Sequence, residues 1–182
     1  MTAATEPSTL LERYQAYRVK RWLAREKQLT GMLPGWRTRG RRRALVITVV
    51  VALTALFVTG VLCAFGLEWA ALFAGLSALV FLPSWTMLRI VSHAQDDAPA
   101  ETLDELEMVQ RETARSIGLT ITQTLCVLPV VYVIWSGALF PEADAFRTAY
   151  AGGVMILATL LAGGCAPAMI LAWSNPDPEP EG

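Results

Sequence analysis

Residues 44–66 read ALVITVVVALTALFVTGVLCAFG, 23 residues without a charge. At about 1.5 Å of rise per residue a helix of that length reaches about 35 Å, beyond the roughly 30 Å hydrocarbon core of a bilayer. Three further stretches share this character: 69–91, charged only at Arg89, and 117–140 and 149–173, both uncharged. In hydrocarbon the backbone N–H and C=O groups must be satisfied within their own segment, which dictates helices and excludes open strands. The expected fold is therefore all-α: a bundle of four transmembrane helices over residues 44–173, with a loop at 92–116, an N-terminal arm at 1–43 and a tail at 174–182.

Composition agrees. With 54% hydrophobic and 17% charged residues the chain is far from a disordered one. Its near balance of 15 basic and 16 acidic residues conceals an asymmetry, because eleven of the basic residues, from Arg13 to Arg43, precede the first span. By the positive-inside rule the arm stays in the cytoplasm, as does the loop that carries Arg111 and Arg115. Four crossings then return the tail to the same side. The first apolar stretch begins past residue 40 and is longer than a signal-peptide core, so no cleavable signal is expected.

The arm mixes charge with aromatic rings. Thr9-Leu10-Leu11-Glu12 has capping-box spacing, predicting a basic cytoplasmic helix over about 10–29. Its Tyr14, Tyr17 and Trp22 lie among Arg18, Lys20, Arg21 and Arg25, a composition suited to an anionic leaflet. Then comes Arg37-Thr38-Arg39-Gly40-Arg41-Arg42-Arg43. Beside a membrane such a run attracts acidic headgroups at about 1 kcal/mol per residue, which marks Arg37, Arg39, Arg41, Arg42 and Arg43 as lipid-headgroup or partner contacts. The same charges suit nucleic-acid phosphates, but an arm this short holds no nucleic-acid-binding fold, so anionic lipid is the expected partner.

In the loop, Thr102-Leu103-Asp104-Glu105 repeats the capping-box spacing, and Asp104, Glu105 and Glu107 crowd a helix start where the dipole favours acids. Glu107 with Arg111 and Glu112 with Arg115 are at i,i+4 and i,i+3. A helix is predicted from about 103 straight into the third span, with Leu103, Leu106 and Val109 along one side. The segment Leu103-Asp104-Glu105-Leu106-Glu107, with Arg111 and Arg115 before a span, resembles the acidic D-E-R-E type lead-in of uncharacterised multi-span integral membrane proteins from actinobacteria. Here Leu106 stands where that family has Arg. The resemblance implies a multi-pass protein of a prokaryotic cytoplasmic membrane and no particular activity.

Within the spans, groups that chemistry needs are sparse. Cys63, Cys126 and Cys165 lie apart without a CxxC pair, and the single histidine, His93, sits at a span end. Ionisable groups fall at span ends and none near a centre, so neither a catalytic site nor a metal or other cofactor is expected. The most polar intramembrane feature is the face Thr120, Gln123 and Thr124, which either packs between helices or lines a path with Thr48, Thr54 or Thr59. Pro83, Pro129 and Pro167 interrupt three spans. Small residues four apart (Ala158, Ala162 and Ala166; Gly164 and Ala168; Ala71 and Gly75; Gly60 and Ala64) point to close helix contacts. The tail alternates proline with acid and is expected to be disordered. Together these readings favour a non-enzymatic accessory, scaffold or assembly protein with a membrane-protein partner or a second copy. The alternative is a small transporter or pore built as a homo-oligomer.

Overall fold

A computed structural model describes residues 9–30, 32, 36, 38–92, 98, 103–139 and 144–174. All its elements are helical: α1 (Leu10–Thr30), α2 (Arg39–Ala64), α3 (Ala71–Val91), α4 (Glu105–Leu139) and α5 (Ala145–Ser174), with a 3₁₀ turn at Glu68–Ala70 ahead of α3. Four of these helices, α2 to α5, are long and apolar enough to cross a membrane. Ser174, expected to open the tail, is instead the last residue of α5, and the rest of the tail, Arg37, His93 and Thr102 lie outside the described residues.

Local chemistry sets the ends. α2 stops in a Schellman motif: Gly66 N–H donates to Cys63 O at 3.0 Å and Leu67 N–H to Leu62 O at 3.1 Å. That motif needs a left-handed residue, and Gly66 supplies it at φ 89°. At the start of α4 the Glu107 carboxylate accepts from Asp104 N–H at 3.3 Å, and the Asp104 carboxylate accepts from Glu105 N–H at 2.7 Å. Half of a capping box thus forms, from Glu107 back to Asp104, two residues later than the predicted Thr102 with Glu105, while the Asp104 carboxylate caps Glu105 N–H in place of Glu107 N–H. Asp104 fits this position because its own carbonyl accepts the first helical bond, from Met108 N–H at 2.9 Å. Asp144 does the same for α5, its carboxylate accepting from Phe146 N–H at 3.0 Å, so that helix begins before the predicted span edge at 149.

The packing is centred on α2 and α5, which run against each other; α3 packs mainly on α2, and α4 on α5. The most apolar windows of α2 and α5 are each 44% buried, whereas those of α3 and α4 are only 17% and 11% buried. The bundle is open, with two central and two flanking spans. Its core runs through Leu45, Val49, Leu53, Phe81, Leu88 and Ala172, joined by a second cluster around Cys63, Ala151 and Met155.

Close approach is decided at glycines. A Cβ on Gly163 would stand 1.6 Å from Thr122 Oγ1 and 2.9 Å from Gly118 O, and one on Gly60 would stand 2.6 Å from Met155 Cγ. By contrast Gly164 and Gly75, both marked by small-residue spacing, have no neighbour within 4 Å of such an atom. The contact face of α5 therefore runs through Gly163 and not Gly164, about 100° around the helix.

Candidate functional site

Two features hold the polar groups of the spanning helices, and the first is the arginine-rich end. α2 begins inside the basic run: Arg42 N–H donates to Thr38 O at 3.0 Å, so Arg39, Arg41, Arg42 and Arg43 occupy its opening turns with no acidic residue among them. A helix N-terminus carries partial positive charge, so four guanidiniums there raise the local potential instead of offsetting it.

Aromatic rings set the directions of these guanidiniums. Arg41 lies over Trp36 at 5.6 Å, Arg43 over Trp173 at 4.7 Å and Arg89 over Trp85 at 5.8 Å. Trp173 lies in the last turn of α5 and Arg89 in the last turn of α3, so this collar lies at the same end of three helices, with the Arg43–Trp173 contact joining α2 to α5. Arg42 is buried while Arg39 and Arg41 are exposed, and Arg43 Nε is buried without a hydrogen bond. Cation–π contact fixes the direction of a guanidinium by stacking its plane on the ring face.

Arg111 belongs to this end as well and does something the sequence did not announce. Although 6% exposed, it donates through one terminal nitrogen to Ala98 O and through the other to Glu112 Oε1 at 3.0 Å. It ties the loop to α4. Glu112 also faces Arg115 at 3.7 Å, the i,i+3 spacing read from the sequence. Buried Ser92 contributes a hydroxyl with no hydrogen bond.

The second feature is the polar face of α4. Thr120, Gln123 and Thr124 are all exposed, on the side of α4 turned away from α5. Thr120 satisfies its hydroxyl within the helix by donating to Ser116 O at 3.0 Å. Gln123 makes no hydrogen bond among the described residues. The structure does not bring this face to the threonines of α2. Thr48 and Thr59 line a groove of about 360 Å³ against α3, with hydroxyls bonded to Ala44 O and Ala55 O. Thr54 borders a separate groove of about 230 Å³ with Leu125, Leu128 and Thr159.

The α4–α5 seam uses the other face of α4. There Thr159 donates to Ile156 O at 2.8 Å, and its oxygen lies 3.1 Å from Cys126 Sγ. With the Thr159 proton committed to the carbonyl, the thiol is the donor in that second contact. Cys63 and Cys165 are buried and neither forms a disulfide. Among the described residues no group of three or more His, Cys, Asp or Glu side chains could hold a metal ion.

Comparison with protein-family models, with curated proteins and with solved structures finds no match to this chain.

Proposed function

We propose that the protein is a non-enzymatic accessory, scaffold or assembly subunit of a prokaryotic cytoplasmic membrane, with both termini in the cytoplasm. It works through exposed helix faces and a basic juxtamembrane arm. The observation that carries this reading is the unequal burial of its spans: α3 and α4 leave most of their apolar windows uncovered, at 17% and 11% buried. The arginine collar supports the cytoplasmic assignment of that end, because arginines oriented by tryptophan rings at a span boundary suit an anionic headgroup layer.

The second reading, a pore made of several copies, draws on the outward Thr120, Gln123 and Thr124 face, which a ring of α4 helices would turn toward a shared lumen. One experiment separates the two. The full chain, reconstituted in vesicles containing acidic lipid, is expected to show no ion or small-solute flux above empty vesicles. Reproducible flux that disappears in Gln123→Leu refutes the accessory reading and establishes the pore.

A further inference from the structure

α4 is a single helix of 35 residues whose first third precedes the span. On the orientation proposed above, the part around Arg111 and Arg115 stands in water and the part from about 117 onward in lipid. Along its outer side runs the series Leu106, Val109, Thr113, Ser116, Thr120, Gln123, Val127, Val130 and Ile134. The steps alternate 3, 4, 3, 4 throughout, the spacing of heptad positions a and d that keeps one line of residues facing a partner helix. All nine residues are exposed.

Thr113 and Ser116 in water, and Val127, Val130 and Ile134 in lipid, match their surroundings, but four residues of the line have the opposite polarity. In water it presents Leu106, 66% exposed, and Val109, 62% exposed. In lipid it presents Thr120 and an unbonded Gln123. Aliphatic side chains gain from leaving water, and a primary amide in hydrocarbon gains from a hydrogen-bonding partner. One neighbouring helix along this line satisfies both halves at once.

We infer that the occupant is a second copy of this chain, packed α4 against α4 in parallel about a two-fold axis along the membrane normal. Copies in one membrane share one orientation, so a homotypic pair is parallel and in register. Register places each residue opposite itself: Leu106 on Leu106, and Gln123 on Gln123. A glutamine amide is both donor and acceptor and thus its own complement, so the two-fold axis yields reciprocal N–H···O=C bonds. None of the nine positions is charged, so self-pairing meets no like-charge repulsion along the seam. Flanking Glu105 and Glu112 approach Gln110 and Ile117 of the other helix, again without a clash of charge.

This inference rests on the proposed reading only in taking exposed helix faces as docking surfaces and in the orientation. The test uses the full chain with Cys63, Cys126 and Cys165 replaced by alanine, co-expressed with two different tags. Single cysteines go in at Leu106, Val109 and Gln123 on the seam, at Leu128 on the adjacent face of α4, and at Leu79 on α3, exposed like the seam residues. After oxidation in native membranes, the seam variants are expected to give a disulfide-linked species carrying both tags, at least several-fold above Leu128→Cys and Leu79→Cys. Equal yields at all positions, no linked species, or linkage to a different protein overturns the proposal.

In the cysteine-intact chain, Gln123→Leu is expected to weaken dimerisation about tenfold, equivalent to about 1.4 kcal/mol, by two-tag energy transfer in lipid, while Gln123→Asn retains most of it. Unchanged association in Gln123→Leu overturns the amide pairing. The outcomes stay distinct from those of the functional reading: a dimer that conducts solute refutes the accessory role and keeps the seam, and a silent monomer does the reverse.

Discussion

Replacing Gly163 by alanine forces the question of whether α4 and α5 pack as closely as described. The new Cβ would stand 1.6 Å from Thr122 Oγ1, 2.7 Å from Thr122 Cβ and 2.9 Å from Gly118 O. A rotamer change removes the first contact at the cost of the bond from Thr122 Oγ1 to Gly118 O, 2.8 Å long. The other two involve atoms fixed to the helix axis. Bringing 2.7 Å to an ordinary carbon contact of about 3.5 Å opens the seam by about 0.8 Å. Overpacking of this kind costs about 1–3 kcal/mol, against a gain of up to about 1 kcal/mol for removing a helical glycine. A net loss of about 1–2 kcal/mol is expected, read as a fall of several degrees in thermal unfolding followed by tryptophan fluorescence in detergent. The control is the next residue: Gly164→Ala meets nothing within 4 Å and is expected to hold or raise stability. Adding Thr122→Ala to Gly163→Ala removes only the hydroxyl clash and is expected to recover part of the loss. A Gly163→Ala protein as stable as Gly164→Ala refutes the close α4–α5 approach.

Three other changes bear on separate links. Gly66→Ala puts a side chain on a residue at φ 89° and is expected to cost about 1 kcal/mol by the same unfolding assay, with loss of the α2 C-terminal motif. Asp104→Ala removes the cap of α4 and is expected to cost about 0.5–2 kcal/mol and to speed amide exchange in the first turn of that helix. Changing Arg39, Arg41 and Arg43 together to glutamine is expected to reduce partition of the full chain's arm onto acidic vesicle surfaces, measured by fluorescence quenching from labelled headgroups. That effect should fade as added salt shortens the Debye length from about 10 Å.

The spans were legible because length and lack of charge suffice to specify a helix in lipid. Which face each span buries was not legible. A span that is apolar all round has no polar side to mark its exterior, so the small-residue spacing picked out Gly164, whereas α4 approaches Gly163. The same limit hid the placement of Gln123: its polarity was plain, but its position opposite α5 depends on α4 packing through Ala114, Gly118 and Pro129. The α4 cap was displaced by two residues because Thr102 and Asp104 are both good caps with an acid three residues on. The role of Arg111 was hidden for a different reason, since its partner is a backbone carbonyl 13 residues away.

Everything proposed about the arm, the collar and the α4 seam depends on these elements lying on one, cytoplasmic, side. The most direct measurement is labelling of single cysteines in intact cells with a membrane-impermeant maleimide, the three native cysteines replaced by alanine. Lys20→Cys and Glu112→Cys are expected to react only after the membrane is permeabilised, and Glu142→Cys to react at once. Immediate labelling of Lys20→Cys or Glu112→Cys, or protection of Glu142→Cys, contradicts the account.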